Sequence, residues 1–150
     1  MPNVSLSKEQ LLAMSQADLD TLFASSAAGP IPNGEARGTA IIAPGTAFSK
    51  EIAEAINVFC WQGKTFDGPH GVLVNRILPF GLNAIVAEVY KAPSWFDQKE
   101  CIVLDYSKTS TVAHWIRDEI REIAPNLYLG VVYWGQKRLI NFSLDFSPAP

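Results

Sequence analysis

The stretch RLINFSLDF, residues 138–146, alternates between two kinds of side chain along its whole length. Successive side chains of a β-strand point to opposite faces, so this pattern predicts a strand with one dry face. The apolar face comprises Ile140, Phe142, Leu144 and Phe146. The opposite face comprises Leu139, Asn141, Ser143 and Asp145. Such a strand belongs to a sheet that packs one face against a core.

Working outward, similar segments recur along the chain, and in residues 83–90 the alternation sets Ile85, Ala87 and Val89 on one face. The predicted strands cover residues 36–43, 64–67, 72–78, 83–90, 100–106, 127–134 and 138–146. Short strands joined by Gly, Pro and Asn turns favour an antiparallel sheet over βαβ units. The sequence therefore predicts a mainly β (α+β) fold, either a small antiparallel β-barrel or a strongly curled sheet.

Helices are predicted on the outside of this sheet. Ser7 and Gln10 have the spacing of a capping box, and apolar residues follow at Leu11, Leu19 and Phe23. Ser49 can cap a further helix over residues 50–60. We therefore expect an N-terminal helix and one or two covering helices.

One domain is predicted over residues 1–150, a length that is usual for a single core. Its parts are a helical segment with a Pro/Gly turn over residues 1–33, the barrel over 34–146, and a flexible tail over 147–150.

The stretch 109–124 fits two structures. Val112, Ile116, Ile120 and Ile123 recur at helical intervals, which slightly favours a helix. As a strand, the same stretch would set Arg117, Glu119 and Arg121 on one face. The sequence leaves both alternatives open.

Composition excludes several functions. The net charge is −3 and no Lys/Arg run occurs, so nucleic acid is not an expected partner. No apolar span of membrane-crossing length and no secretory signal are found, which predicts a cytoplasmic protein without a membrane span. The two cysteines and two histidines lack metal-ligand spacing, so neither a metal nor another cofactor is expected.

The most distinctive local pattern is WQGKTF, residues 61–66, and it is followed much later by LYLGVVYW, residues 127–134. Together these stretches resemble small bacterial domains of the GXWXG type and, more distantly, the lipocalin-like barrels called calycins. The resemblance covers residues 60–146, and Phe59 stands where the leading Gly of the motif belongs. It implies a lipocalin-like barrel that binds a hydrophobic molecule, and it carries over no catalytic residue.

Aromatic side chains are spread over nearly every predicted strand, where they either pack the core or line an apolar pocket with a few polar anchors. The candidate ligand-binding residues are Trp61, Arg76, Tyr90, Trp95, Tyr106, Trp115, Arg117 and Tyr133. Arg76 interrupts an apolar strand, and its alternation with Glu88 of the next strand could place opposite charges across the hairpin. If both point into the barrel, they form a buried pair that could anchor a ligand; the outward orientation, as solvated partners, is favoured.

Three residues are candidates for acid–base catalysis. If residues 109–124 form a helix, His114 and Asp118 lie four residues apart on one side, where a carboxylate can orient an imidazole. Glu119 is the third candidate. The alternative interpretation is an ordinary solvated helix face.

The leading functional prediction is the binding of a small lipophilic metabolite, such as a fatty acid, a terpenoid or a polyketide-like molecule, in an aromatic-lined barrel. A cofactor-independent isomerase, cyclase or hydrolase that uses the same pocket is the first alternative. The second is an oligomeric structural protein whose exposed aromatic residues form a homodimer interface.

Overall fold

The computed structural model describes residues 6–43, 50, 64–76, 84–107 and 115–146. Two helices, α1 (Lys8–Leu12) and α2 (Gln16–Ser25), precede the strands. The eight strands are β1 (Gly34–Ile41), β2 (Lys64–Asp67), β3 (Val72–Arg76), β4 (Ala84–Pro93), β5 (Glu100–Asp105), β6 (Ile116–Ala124), β7 (Leu127–Trp134) and β8 (Lys137–Asp145). They form a closed antiparallel barrel in chain order, and this confirms the predicted small barrel with an N-terminal helix.

The barrel closes where β1 pairs with β8. Phe142 and Leu144 of β8 lie opposite Ala40 and Gly38 of β1, so the predicted dry face of residues 138–146 points into the barrel. The interior cluster continues around the ring through buried residues that include Phe66, Leu73, Ala87, Val89, Ile102, Leu104, Ile116, Ile120, Tyr128 and Val132. The predicted inward face of residues 83–90 is confirmed for Ala87 and Val89.

A second apolar layer lies outside the barrel. Leu11, Leu19 and Phe23 of the two helices pack with Leu129 and Val131 of β7, and all five are buried. Because the other face of β7 lies inside the barrel, this strand is buried on both faces. Its continuous apolar sequence LYLGVVYW follows from that position.

Arg121 connects α2 to the barrel through hydrogen bonds and stacking. Its fully buried guanidinium donates hydrogen bonds to the Asp97 carboxylate at 2.6 and 2.7 Å and to the Phe23 carbonyl at 2.8 Å. It also stacks over the Phe23 ring, with 4.4 Å between Cζ and the ring centroid. The hydrogen bonds from Arg121 hold the pKa of Asp97 below its usual range. One buried cation therefore joins α2, the β4–β5 connection and β6.

The preference for a helix over residues 109–124 was wrong where the structure describes the stretch. Residues 116–124 form β6, which pairs with β5 and β7, while residues 109–114 lie outside the described residues. Ile116 and Ile120 are four residues apart, a spacing that places them on one side of a helix and also on one face of a strand. The strand alternative is confirmed: Arg117, Glu119 and Arg121 share the outer face.

Other expectations have mixed outcomes. Arg76 and Glu88 do not lie opposite each other, because the register pairs Arg76 with Ala84 and Glu88 with Val72. The predicted helix over residues 50–60 and the tail over 147–150 lie outside the described residues, apart from Lys50.

In the part of the chain that the structure describes, neither helix has the length and apolar character needed to cross a bilayer.

The two ends of the barrel differ. At one end, β2 is joined to β3, β4 to β5 and β6 to β7 by short connections over residues 68–71, 94–99 and 125–126. At the other end, residues 135–136 join β7 to β8 by a short turn, whereas the connections from β1 to β2, β3 to β4 and β5 to β6 are longer and lie partly outside the described residues. We call this second end the mouth.

Candidate ligand site inside the barrel

Two charged residues face each other across the interior. Lys64 begins β2 and lies opposite Ala36, whereas Asp118 of β6 lies between Leu104 and Val132. Directly paired residues point to the same face, and Ala36, Leu104 and Val132 all belong to the interior cluster. Since β2 and β6 are four strands apart in a ring of eight, Lys64 and Asp118 point inward from opposite walls. Both are completely buried.

The carboxyl group of Asp118 has an unusual environment. Burial raises its pKa from 3.8 to about 7, and the charge of Glu119 adds to the rise. The Lys64 charge and the Tyr106 hydroxyl act in the opposite direction, but burial outweighs them. Neither carboxyl oxygen makes a hydrogen bond of standard geometry with the described residues. A buried carboxyl group without such a bond is costly and rare in a folded protein.

Tyr106 completes the polar group inside the barrel. It follows directly after β5, is fully buried, and lies two residues beyond Leu104, the partner of Asp118. Lys64 begins β2 and Asp118 is near the start of β6, so all three side chains come from the mouth end of their strands. We call Lys64, Tyr106 and Asp118 the interior polar cluster.

Small residues line part of the surrounding wall. Ala36, Gly38 and Ala40 face inward from β1, and Ala87 does so from β4. Ala40 is only partly buried although it packs against the interior cluster. An eight-stranded barrel is wide enough either to be filled by its own side chains or to hold one small ligand.

A different group of predicted residues lies on the outside of the barrel. Tyr90, Trp95, Arg117 and Tyr133 line one groove of about 670 Å³, which we call the outer groove. It continues past Trp115 and Asp105 into a smaller depression of about 350 Å³. Trp95 and Trp115 are 50% and 59% exposed.

Glu119 organises the floor of the outer groove. One carboxylate oxygen accepts a hydrogen bond from the Ser94 hydroxyl at 2.6 Å. The other accepts from the Trp95 backbone N–H at 2.8 Å and from Arg117 Nε at 3.0 Å. Although Glu119 is completely buried, its charge is well supplied with donors.

The predicted ligand-binding residues are thus divided between two faces of one sheet. Tyr90, Trp95, Trp115, Arg117 and Tyr133 come together outside, and Tyr106 alone lies inside with Asp118. Trp61 lies outside the described residues, and for Arg76 only the backbone is described.

The predicted catalytic residues do not come together either. Asp118 points inward and Glu119 outward, while His114 lies outside the described residues. The helical geometry proposed for His114 and Asp118 is absent, because Asp118 lies in β6.

Lys64 was missed by sequence reasoning. A single Lys at the start of a short strand looks like a solvated residue, but Lys64 shares its strand face with Phe66, and this was the available signal. Its burial depends on closure of the ring, which the local pattern does not reveal.

Other reactive groups are not assembled into sites. Cys101 is a buried free thiol whose pKa is raised to about 12 by burial, and the exposed His70 contacts Asp67 at 2.8 Å. Among the described residues, no three His, Cys, Asp or Glu side chains are placed to hold a metal ion.

Comparison with known proteins bears only on the fold. No family model and no curated protein matches this sequence. A crystal structure of a protein from Thermomonospora curvata is similar, with a TM-score of 0.61 and 17% sequence identity, over 91% of this chain and 90% of that chain. Its description names no ligand or activity. The resemblance to GXWXG-type domains and calycins therefore stays a prediction.

Proposed function

We propose that this protein binds a small lipophilic metabolite inside the barrel, with the polar end of the ligand at the interior polar cluster. The observation that carries the proposal is Asp118, a completely buried carboxyl group without a hydrogen bond of standard geometry to the described residues. A ligand hydroxyl would donate a hydrogen bond of standard geometry to this carboxyl group, in addition to its interaction with the Tyr106 hydroxyl. Small-molecule sites typically combine an apolar wall with a few such polar groups.

The wall around this cluster is suited to an apolar ligand body. It is formed by Leu73, Leu104, Ile116 and other buried apolar side chains, and the small residues of β1 lie beside them. The cluster lies toward the mouth, so a ligand that enters there would meet its polar partners first and direct its apolar part inward.

The charges of the cluster constrain the polar end of the ligand. When Asp118 is ionised, its negative charge offsets that of Lys64, and a neutral hydroxyl is the better partner. When Asp118 is protonated, it no longer carries the negative charge that would repel a ligand carboxylate, and a carboxylic acid is then tolerated. Terpenoid or polyketide-like alcohols are therefore favoured above a pH of about 7, and fatty acids are tolerated below it.

The experiment uses two fluorescent probes of equal length, dansyl-labelled undecanoic acid and the corresponding alcohol, titrated at about pH 8, where Asp118 is ionised. Saturable binding of at least one probe is expected. Asp118→Asn should weaken alcohol binding about tenfold, because a charged acceptor is lost, and should tighten acid binding because a repelling charge is removed.

Glu119→Gln is the matched control. It removes a charge from the adjacent, equally buried residue, but on the outer face of β6, and should leave the affinity for both probes unchanged. The proposal fails if neither probe binds saturably, or if both substitutions change binding alike.

A second candidate function is a cofactor-independent isomerase, and the pKa of Asp118, about 7, favours it. A carboxyl group with that pKa can take and return a proton at neutral pH. Deuterium exchange at carbon positions of the bound ligand, followed by NMR, tests this function. Exchange that is lost in Asp118→Asn supports an enzyme, and absence of exchange restricts the protein to binding.

A further inference from the structure

The geometry points to a second ligand site in the outer groove, and to a neutral oligosaccharide as the ligand. This site lies on the opposite face of the sheet from the interior polar cluster and does not depend on the proposed function. Its walls are Tyr90, Trp95, Arg117 and Tyr133, with Gln98 and Gln136 at the rim.

The size and shape of the groove suit an elongated molecule. Its volume of about 670 Å³ lies inside the range of roughly 300–1,000 Å³ that is usual for small-molecule sites. The smaller depression beside it shares Trp95, Arg117 and Gln136 as lining residues. The two spaces therefore form one track that passes from Trp95 to Trp115, as a short chain of rings requires.

The exposed indole of Trp95 is held in place. Its backbone N–H donates to Glu119, the Arg117 guanidinium lies 4.3 Å from the centroid of its ring, and the Tyr133 ring meets it in a T-shaped contact at 5.2 Å. A large apolar ring that is half exposed and yet fixed presents a pre-organised surface, which loses little entropy when a ligand stacks on it.

The polar groups of the groove select a neutral ligand. Arg117 is paired with Glu119, and Asp105 accepts hydrogen bonds from Tyr90 at 2.7 Å and from the Ser107 hydroxyl at 2.6 Å. Because these charges already have partners, a charged ligand gains little. The amides of Gln98 and Gln136 both donate and accept, and a pure hydrocarbon would leave them without water or partner.

A sugar ring satisfies both kinds of lining at once. Its C–H face stacks on an indole, and its hydroxyl groups both donate to and accept from side-chain amides. Exposed indoles beside neutral amides and charges that already have partners are therefore suited to bind a neutral saccharide.

The test is isothermal titration of the full chain with four neutral trisaccharides: maltotriose, cellotriose, xylotriose and N,N′,N″-triacetylchitotriose. At least one should bind with a Kd of about 0.1–1 mM. Trp95→Ala should weaken that binding about tenfold. Leu12→Ala is the control, since Leu12 is a large exposed apolar residue on α1 and should leave the affinity unchanged.

Gln136→Ala provides a second variant with little risk to folding, because Gln136 lies exposed in the β7–β8 turn. It should weaken binding about threefold, the loss of one exposed hydrogen bond. Circular dichroism spectra verify that each variant is folded.

Three results would overturn the inference. In the first, none of the four sugars binds at about 10 mM, a concentration well above the expected Kd. In the second, binding persists unchanged in both groove variants. In the third, sedimentation reveals a dimer that Trp95→Ala dissociates, which makes the groove a subunit interface. Binding of the dansyl probes should be unaffected by Trp95→Ala, so failure here is distinguishable from failure of the proposed function.

Discussion

Asp118 and Glu119 are neighbours on β6, both carboxylic acids and both completely buried, yet their surroundings differ. Glu119 points outward and accepts hydrogen bonds from Ser94, Trp95 and Arg117, whereas Asp118 points inward and makes no hydrogen bond of standard geometry with the described residues. The two carboxyl groups lie in different environments only because successive side chains of a strand point to opposite faces. The difference teaches that burial by itself does not mark a functional group. A buried carboxylate that accepts several hydrogen bonds of standard geometry stabilises the fold, whereas one without them is the stronger candidate for a functional role.

The largest expected effect concerns the outer member of this pair. Glu119→Ala should lower the free energy of unfolding by about 3–5 kcal/mol, because Arg117 then loses the partner of its charge and the Ser94 and Trp95 donors lose their acceptor. Asp118→Ala should cost less, since at neutral pH its carboxyl group is partly protonated and makes no hydrogen bond of standard geometry with the described residues. Urea denaturation of both variants at neutral pH measures the contrast. Equal losses would remove the distinction drawn between the two residues.

The next effect is a pH dependence centred on Asp118 and the charged groups around it. Its pKa is about 7 in the folded protein, against 3.8 for an unperturbed aspartic acid. Between these two values the folded state therefore retains a proton that the unfolded state has released. Stability falls as pH rises through this window, by on the order of 2–4 kcal/mol from this group.

Asp118→Asn should abolish that part of the pH dependence. The variant should gain stability relative to the wild type as pH rises from about 4 to about 8, which urea midpoints at several pH values would measure. Glu119→Gln is the control: it should retain a fall in stability with rising pH, with only a small displacement to lower pH, because the Glu119 charge is a minor contributor to the raised Asp118 pKa. An unchanged slope in Asp118→Asn would mean that the carboxyl group titrates normally.

The smallest effect compares a buried ion pair with an exposed one. Arg117→Lys should cost about 1–2 kcal/mol, because a lysine cannot both bind Glu119 and stack on Trp95 as the planar guanidinium does. Arg37→Lys, in the exposed pair with Asp145, should cost less than about 0.5 kcal/mol. Thermal melts of the two variants measure this difference, and similar losses would indicate that the Glu119 network contributes little.

The fold was predictable because most strands have one dry face and clear turns. Residues 64–67 and 127–134 were predicted with the observed bounds, and the inward face of residues 138–146 was read directly from alternation. The preference for a helix over residues 109–124 was wrong because the four-residue spacing of Ile116 and Ile120 fits one side of a helix and also one face of a strand. Asp118 lies between them on the same strand face.

The site was less predictable because it depends on which strands meet across the ring. Asp118 and Tyr106 were both singled out, but for separate roles, and Lys64 was not. These residues come from three strands or their ends, and only the closed register brings them to one interior. The outer groove shows the opposite case: Tyr90, Trp95 and Tyr133 were all named as candidate ligand-binding residues and do lie together, but their alternation did not indicate on which side of the sheet a pocket would form.

The seam between β1 and β8 has a consequence for synthesis of the chain. Arg37 and Asp145 meet across it although they are 108 residues apart. As the polypeptide leaves the ribosome, the edge of β1 stays without its final partner until β8 emerges. The barrel therefore cannot close until the last strand has emerged, and nascent chains that stall before β8 should depend on chaperones and be prone to aggregate.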